Sequence, residues 1–144
     1  MSSGNNRLRR EVIHSDIRWK QRFQNFEASL RELRAALEKT EYTTLERAGL
    51  IQFFGISFEL AWKTLKDMLI YEGYDVNSPK STLKQAFANG IIADGELWLK
   101  ALDGRNLFSH TYDNELAEEA IDLIKKTYSP LLFDLETKLR SQQA

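Results

Sequence analysis

Apolar residues recur at helical spacing along most of the chain. Ile17, Phe23, Phe26, Leu30, Leu33 and Leu37 form one stripe with Arg, Gln and Glu opposite, which predicts a first amphipathic helix. The pattern breaks at Thr40 to Thr44. There Thr43 or Thr44 is placed to cap a second helix, with Glu46 or Arg47 in its opening turn. From about Thr44 to Tyr71 the chain is apolar round most of a helical circumference, through Leu50, Ile51, Phe53, Phe54, Ile56, Phe58, Leu60, Trp62, Leu65 and Leu69. This predicts the central, most buried helix. Gly49 and Gly55 each cost it about 1 kcal/mol relative to alanine, so a close approach of neighbouring helices is expected at both.

Gly73 to Pro79 stops the second helix, and Ser78-Pro79 is a start signal for a short third one ending near Asn89-Gly90. Asp94 is placed to cap a fourth, which carries Leu97, Trp98, Leu99, Ala101 and Leu102 and runs through Gly104 into residues 105–112. Asp113 or Asn114 begins a last helix with a stripe of Leu116, Ala120, Leu123, Ile124, Tyr128, Leu131, Leu135 and Leu139. Pro130 should bend it, because the ring removes a backbone donor and clashes with the preceding turn. No segment alternates in the manner of a strand. The expectation is an all-α fold, an antiparallel up-and-down four-helix bundle with an extra short helix. It occupies residues 16–141, after a polar, flexible tail over residues 1–15 that carries Arg7, Arg9 and Arg10.

Composition narrows the chemistry. A chain of 144 residues suits one domain that buries roughly 70% of its unfolded surface. The absence of cysteine removes disulfides, thiol nucleophiles and thiolate metal sites, and two histidines far apart offer little to a metal. No apolar run reaches the length of a membrane span and the beginning is not signal-like, so a soluble, cytoplasmic protein without membrane contact is expected. A net charge of −1 argues against a broad nucleic-acid-coating surface and leaves room for a small local site.

The candidate for that site is Arg105-Asn106-Leu107-Phe108-Ser109-His110-Thr111-Tyr112. An arginine grips phosphate through paired hydrogen bonds, and a histidine titrating near neutrality moves protons, a combination suited to phosphodiester chemistry. On an ideal helix Asn106 and His110 share one face, and Arg105, Ser109 and Tyr112 another. Arg105 and His110 then lie about 140° apart. One copy encloses a phosphate poorly unless the helix ends or Arg105 reaches around, which favours a two-fold dimer with adjacent motifs. In such a site His110 would take the ribose 2′-hydroxyl proton or protonate the leaving oxygen. Arg105 would stabilise phosphoryl charge, Asn106 would orient His110 or the phosphate, and no metal or other cofactor is required of this chain. A histidine that merely caps a helix end is the plainer alternative. Glu59 and Lys63, at i and i+4, are either an intrahelical ion pair or part of a partner or cleft rim.

These residues resemble the Arg-x4-His motif of HEPN domains, the nucleotide-binding helical bundles of prokaryotes and higher eukaryotes. The longer Arg-x4-His-x-Tyr form resembles that of HEPN toxins paired with a minimal nucleotidyltransferase. Phe58-Glu59-Leu60-Ala61-Trp62-Lys63-Thr64-Leu65-Lys66, Ser78-Pro79 and Asp94-Gly95-Glu96-Leu97-Trp98 extend the similarity to bacterial nucleotidyltransferase substrate-binding proteins, over about residues 17 to 140. The resemblance implies a homodimer with a composite cleft and metal-independent cleavage of RNA. It also implies an antitoxin nucleotidyltransferase that uses ATP, with Mg2+, to place AMP on Tyr112. Phe108 is bulkier than the residue expected at that place, and the tail has no expected counterpart. A noncatalytic subunit that presents a substrate to a nucleotidyltransferase is the alternative function, and a purely structural helical adaptor a third.

Overall fold

The structure is a computed structural model that describes residues 2–108, 110 and 114–143. Its elements are α1 (Ser2–Leu37), α2 (Thr44–Tyr71), α3 (Pro79–Ala88), α4 (Gly95–Phe108), α5 (Asn114–Leu123), a π-helical turn (Ile124–Tyr128) and α6 (Ser129–Gln143). The last three run on without a break as one long helix. No strand occurs among the described residues, and no helix there is long and apolar enough to cross a membrane.

Side-chain links set the directions of the helices. Arg34 reaches Glu136 and Glu27 reaches Arg140, so residue numbers fall along α1 as they rise along α6, and the two are antiparallel. Arg47 meets Glu118, and Phe54 stacks on Tyr128 at 6.0 Å, so α2 runs with the last helix. Phe58 against Trp98 and Glu59 against Arg105 set α4 beside α2. Together α1, α2, α4 and the α5–α6 helix form the up-and-down bundle expected from the sequence, with α3 as the short extra helix. Its α2 is central, touching every other helix.

The start signals act as read. The Thr43 hydroxyl accepts from the Glu46 amide while the Glu46 carboxylate accepts from the Thr43 amide, satisfying two donors that a helix start leaves open. Ser78 and Ser81 make the same reciprocal pair at α3, with Pro79 in its first turn. At α4 the Leu97 amide donates to Asp94 Oδ1 at 3.1 Å. Gly73 and Gly90, at φ 98° and 74°, take the left-handed conformation that glycine tolerates after a helix end.

Four features differ from the reading of the pattern. First, the α1 backbone is helical from Ser2, so no helix boundary falls at residue 16; proline is absent before Pro79 and nothing between Arg7 and Ile17 stops a helix. Within its stripe Trp19 is buried and Ile17 is 48% exposed, because Trp19 stands one turn before Phe23 while Ile17 falls off that line. Second, the expected close approach at Gly49 is absent, with nothing within 4 Å of an added Cβ, and at Gly55 such a Cβ would make only ordinary contact with Arg105 Cγ at 4.0 Å. Close approaches occur instead at Gly104, where a Cβ would lie 3.0 Å from Tyr128 Cε2, and at Gly95, where it would lie 2.9 Å from Phe87 Cγ.

Third, the irregularity at Pro130 takes the form of the π turn just ahead of it, closed by the Ser129 amide on the Ile124 carbonyl. The wider turn relieves the clash that the ring would make with the carbonyl four residues back. One extra residue rotates everything after it by about 100°, so Leu132 rather than Leu131 takes the fully buried position, followed by Leu135 and Leu139. Leu116 and Leu123, expected in the stripe, are exposed, and Ile121 is buried in their place. Fourth, α4 passes through Gly104 into the motif as read but ends at Phe108, so the ideal-helix placement of residues 105 and 110 does not apply. From Ser109 onward the sequence is Ser, His, Thr, Tyr and Asp, all residues of low helix propensity.

Candidate active site

An aromatic seam holds the end of α4. Phe58 lies 5.7 Å from Trp98, Phe54 lies 6.0 Å from both Phe58 and Tyr128, and Phe108 lies 6.4 Å from Tyr128. Burying such rings is worth about 1.5–3 kcal/mol each, so the last turn of α4 is fixed against α2 and the π turn. Phe108, bulky for its place in the motif, is spent inside this seam beside Gly104 and so does not project outward from the bundle.

Fixing Phe108 inward leaves Arg105 on the α2 side, where its stem passes Gly55. Its Nη2 donates to Glu59 Oε2 at 2.6 Å. The same oxygen accepts from the Trp62 indole N–H at 2.9 Å, and Lys63 Nζ stands 3.0 Å from Oε1. Burial by itself pushes the Glu59 carboxyl upward. The hydrogen bonds from Trp62 and Lys63 and the charges of Arg105 and Lys63 outweigh it, and its pKa lies below the ordinary glutamate value. The intrahelical pair of Glu59 and Lys63 forms, and its carboxylate also meets the motif arginine across two helices.

His110 lies beyond the helix, exposed, in a turn whose amide donates to the Leu107 carbonyl at 3.1 Å. Because α4 stops at Phe108, the helical angle of about 140° does not hold Arg105 and His110 apart. Asn106 is exposed on the last turn, with Leu107 beside it 62% exposed. Ser109 and the expected modification site Tyr112 lie outside the described residues, as does Asp113, one of the two caps proposed for α5.

The residue-level reading missed the link between Glu59 and Arg105. They are 46 positions apart, and no periodicity joins them. A local signal did exist: Trp62 and Lys63 sit three and four residues after Glu59, where an indole N–H and an ammonium converge on one carboxylate. With two cations around one anion, the cluster carries a net charge of about +1, a place for an anion on a chain of charge −1.

The comparisons with known proteins agree with this architecture. Residues 21–141 match the family described as nucleotidyltransferase substrate binding protein like. Over 75 residues, 49% of the chain, it is 36% identical to a Haemophilus influenzae protein named probable ribonuclease HepT, of which this stretch covers 51%. The chain therefore spans about half the length of that curated relative. A crystal structure of a Thermus thermophilus protein superposes with a TM-score of 0.74 at 30% identity, covering 80% of this chain and 98% of that one. With the match running from the middle of α1 almost to the end of α6, the chain belongs to the nucleotidyltransferase substrate binding protein like family, of the HEPN type that its motif resembles.

Proposed function

We propose that the protein is a HEPN toxin, a metal-independent endoribonuclease that acts as a homodimer. The observation that carries the reading is the pairing of an anchored, partly exposed Arg105 with an exposed His110 just past the end of the same helix. A ribose 2′-oxygen attacks the adjacent phosphorus as His110 accepts its proton, and the bond from phosphorus to the 5′-oxygen breaks. A proton returns to that oxygen, from the histidine of one copy or the other. The products are a 2′,3′-cyclic phosphate and a 5′-hydroxyl. Arg105 stabilises the charge on the non-bridging oxygens, and Asn106 orients the phosphate or His110. Proton transfer of this kind contributes about 10² to 10⁴ in rate, and an oriented arginine adds electrostatic stabilisation where charge develops.

In the same proposal a cognate minimal nucleotidyltransferase neutralises the toxin. The Tyr112 phenol oxygen attacks the α-phosphorus of ATP, held with Mg2+ by that partner, and pyrophosphate leaves. Each AMP so attached sets a negative phosphate and a base seven residues from Arg105, in competition with RNA for its cation. The family description supports a nucleotidyltransferase partner, and the name of the Haemophilus relative supports cleavage of RNA.

The test is cleavage of end-labelled RNA in EDTA by the wild type and by His110→Ala, matched in folding by circular dichroism. Cutting by the wild type that disappears in the variant supports the reading. Intact RNA at excess enzyme, with an unmodified protein mass, sinks it. A second reading, a noncatalytic subunit that presents a substrate to a nucleotidyltransferase, is favoured by the description of the family itself. It would be abandoned if the protein and a nucleotidyltransferase encoded beside it eluted separately on size exclusion.

A further inference from the structure

We infer that Glu59 is a positioning residue: its carboxylate holds the Arg105 guanidinium in the orientation that receives a phosphodiester, and is itself held by Trp62 and Lys63. The inference rests on the ribonuclease reading for its consequence in catalysis, but not for its geometry.

A free arginine side chain carries about 2 kcal/mol of rotamer entropy, which is lost when it binds an anion. Here much of that loss has already occurred, since Nη2 is tied to Glu59 Oε2 at 2.6 Å. Oxygen Oε2 is in turn fixed by the Trp62 indole at 2.9 Å, from a tryptophan that is itself buried at 7% exposure. Lys63 fixes the other oxygen. The chain of restraint therefore runs from the packed core to the guanidinium. A guanidinium has five N–H donors, and the bond to Glu59 uses one of the two on Nη2.

Stability is a poor reason for this arrangement. The Glu59 and Arg105 side chains are 29% and 27% exposed, and pairs that water reaches contribute little to folding. Charge leads to a distinctive consequence. Glu59 lowers the local charge from +2 to +1, so it weakens raw attraction for an anion while it fixes the geometry of the cation that meets it. Removing its charge should loosen orientation and strengthen attraction together, moving kcat and KM in a way that simple loss of structure does not.

The experiment compares wild type, Glu59→Gln and Glu59→Ala in two measurements. Glutamine keeps an oxygen acceptor for Trp62 and Arg105; alanine keeps neither. Cleavage of labelled RNA in EDTA should show kcat lower by about tenfold in Glu59→Gln and about a hundredfold in Glu59→Ala, with KM unchanged or reduced. The nitrogen-15 signals of the Arg105 guanidinium, assigned by their loss in Arg105→Lys, should show slow rotation about the bond to Nη2 in wild type and fast rotation in Glu59→Ala.

An undiminished kcat in both variants overturns the inference, as does a kcat loss matched by a rise in KM. So does an Arg105 signal that is the same in wild type and Glu59→Ala. If the wild type itself does not cut RNA, the ribonuclease reading fails, and the guanidinium signal alone decides: freed rotation supports the positioning role and unchanged rotation overturns it. Should Glu59→Ala not fold, Glu59→Gln decides by the same criteria.

Discussion

Two interhelical glutamate–arginine links of nearly equal length stand in different surroundings. Between α1 and α6, Glu136 accepts from Arg34 at 2.7 Å and pairs with Arg140 at 3.2 Å, while Arg140 also reaches Glu27 at 2.7 Å. The Glu136 side chain is 3% exposed, and the Arg34 guanidinium lies 4.3 Å over the Phe133 ring. That carboxylate is flanked by two cations, each with a further contact of its own, Arg34 on the Phe133 ring and Arg140 on Glu27. Between α2 and α4, Glu59 holds a single motif arginine by one nitrogen, in the last turn of a helix, two residues after the end of which His110 lies exposed. The first arrangement spends its cations on a buried anion. The second ties a partly exposed motif cation next to an exposed histidine, which is why a similar bond length reads as bundle stability in one region and as a candidate site in the other.

The contrast is broken most severely at the motif. His110→Ala should lower RNA cleavage by about 10² to 10⁴, and Arg105→Lys should lower it substantially as well, because an ammonium does not reproduce the planar fork. Thermal unfolding of both variants should stay close to wild type.

The α1–α6 link should behave in the opposite way. Glu136→Ala removes a buried acceptor from two arginines that can partly rehydrate, at a cost of about 2 kcal/mol in chemical denaturation. The rate of RNA cleavage should not change. A comparable loss of activity in this variant would mean that the two links are not separable.

A smaller effect tests the glycines. Gly49→Ala should stabilise the fold by about 0.4–1 kcal/mol, since the position is helical, exposed and free of neighbours within 4 Å of the new Cβ. Gly104→Ala should destabilise it, because the same atom would press on Tyr128 and Phe108. Urea melts of the two variants should shift in opposite directions.

The smallest expected effect is one of pH. Glu59 has a folded pKa below its ordinary value, so its contribution to stability is present above the ordinary carboxylate range and is lost as pH falls through the lowered folded value. Relative to Glu59→Gln, the wild type should therefore keep its advantage at pH 6 and lose it in acid. Unfolding midpoints of both proteins across that range would check the sign.

Much of the bundle was legible in the chain because local chemistry specifies it. The capping residues Thr43, Ser78 and Asp94, and the span Thr44–Tyr71, follow from side chains satisfying backbone donors within three residues, and they occur as read. The π turn was not legible. Periodicity assumes a constant step, and Pro130 signals trouble without saying whether the helix bends or takes in an extra residue, so Leu131 was expected where Leu132 packs. The motif residues could be named from their types, and the low helix propensity after Phe108 is a local signal, but the grip of Glu59 on Arg105 depends on which helices become neighbours. Such contacts between distant parts of a chain leave no local pattern.

The central claim, that Arg105 and His110 cut RNA by attack of its own 2′-oxygen, is tested most directly by the mass of the products formed in EDTA. The account predicts fragments ending in 2′,3′-cyclic phosphate and beginning with 5′-hydroxyl, none of them formed at a linkage preceded by a 2′-deoxynucleotide. Fragments with 5′-phosphate ends, or cutting after the deoxynucleotide, would contradict it.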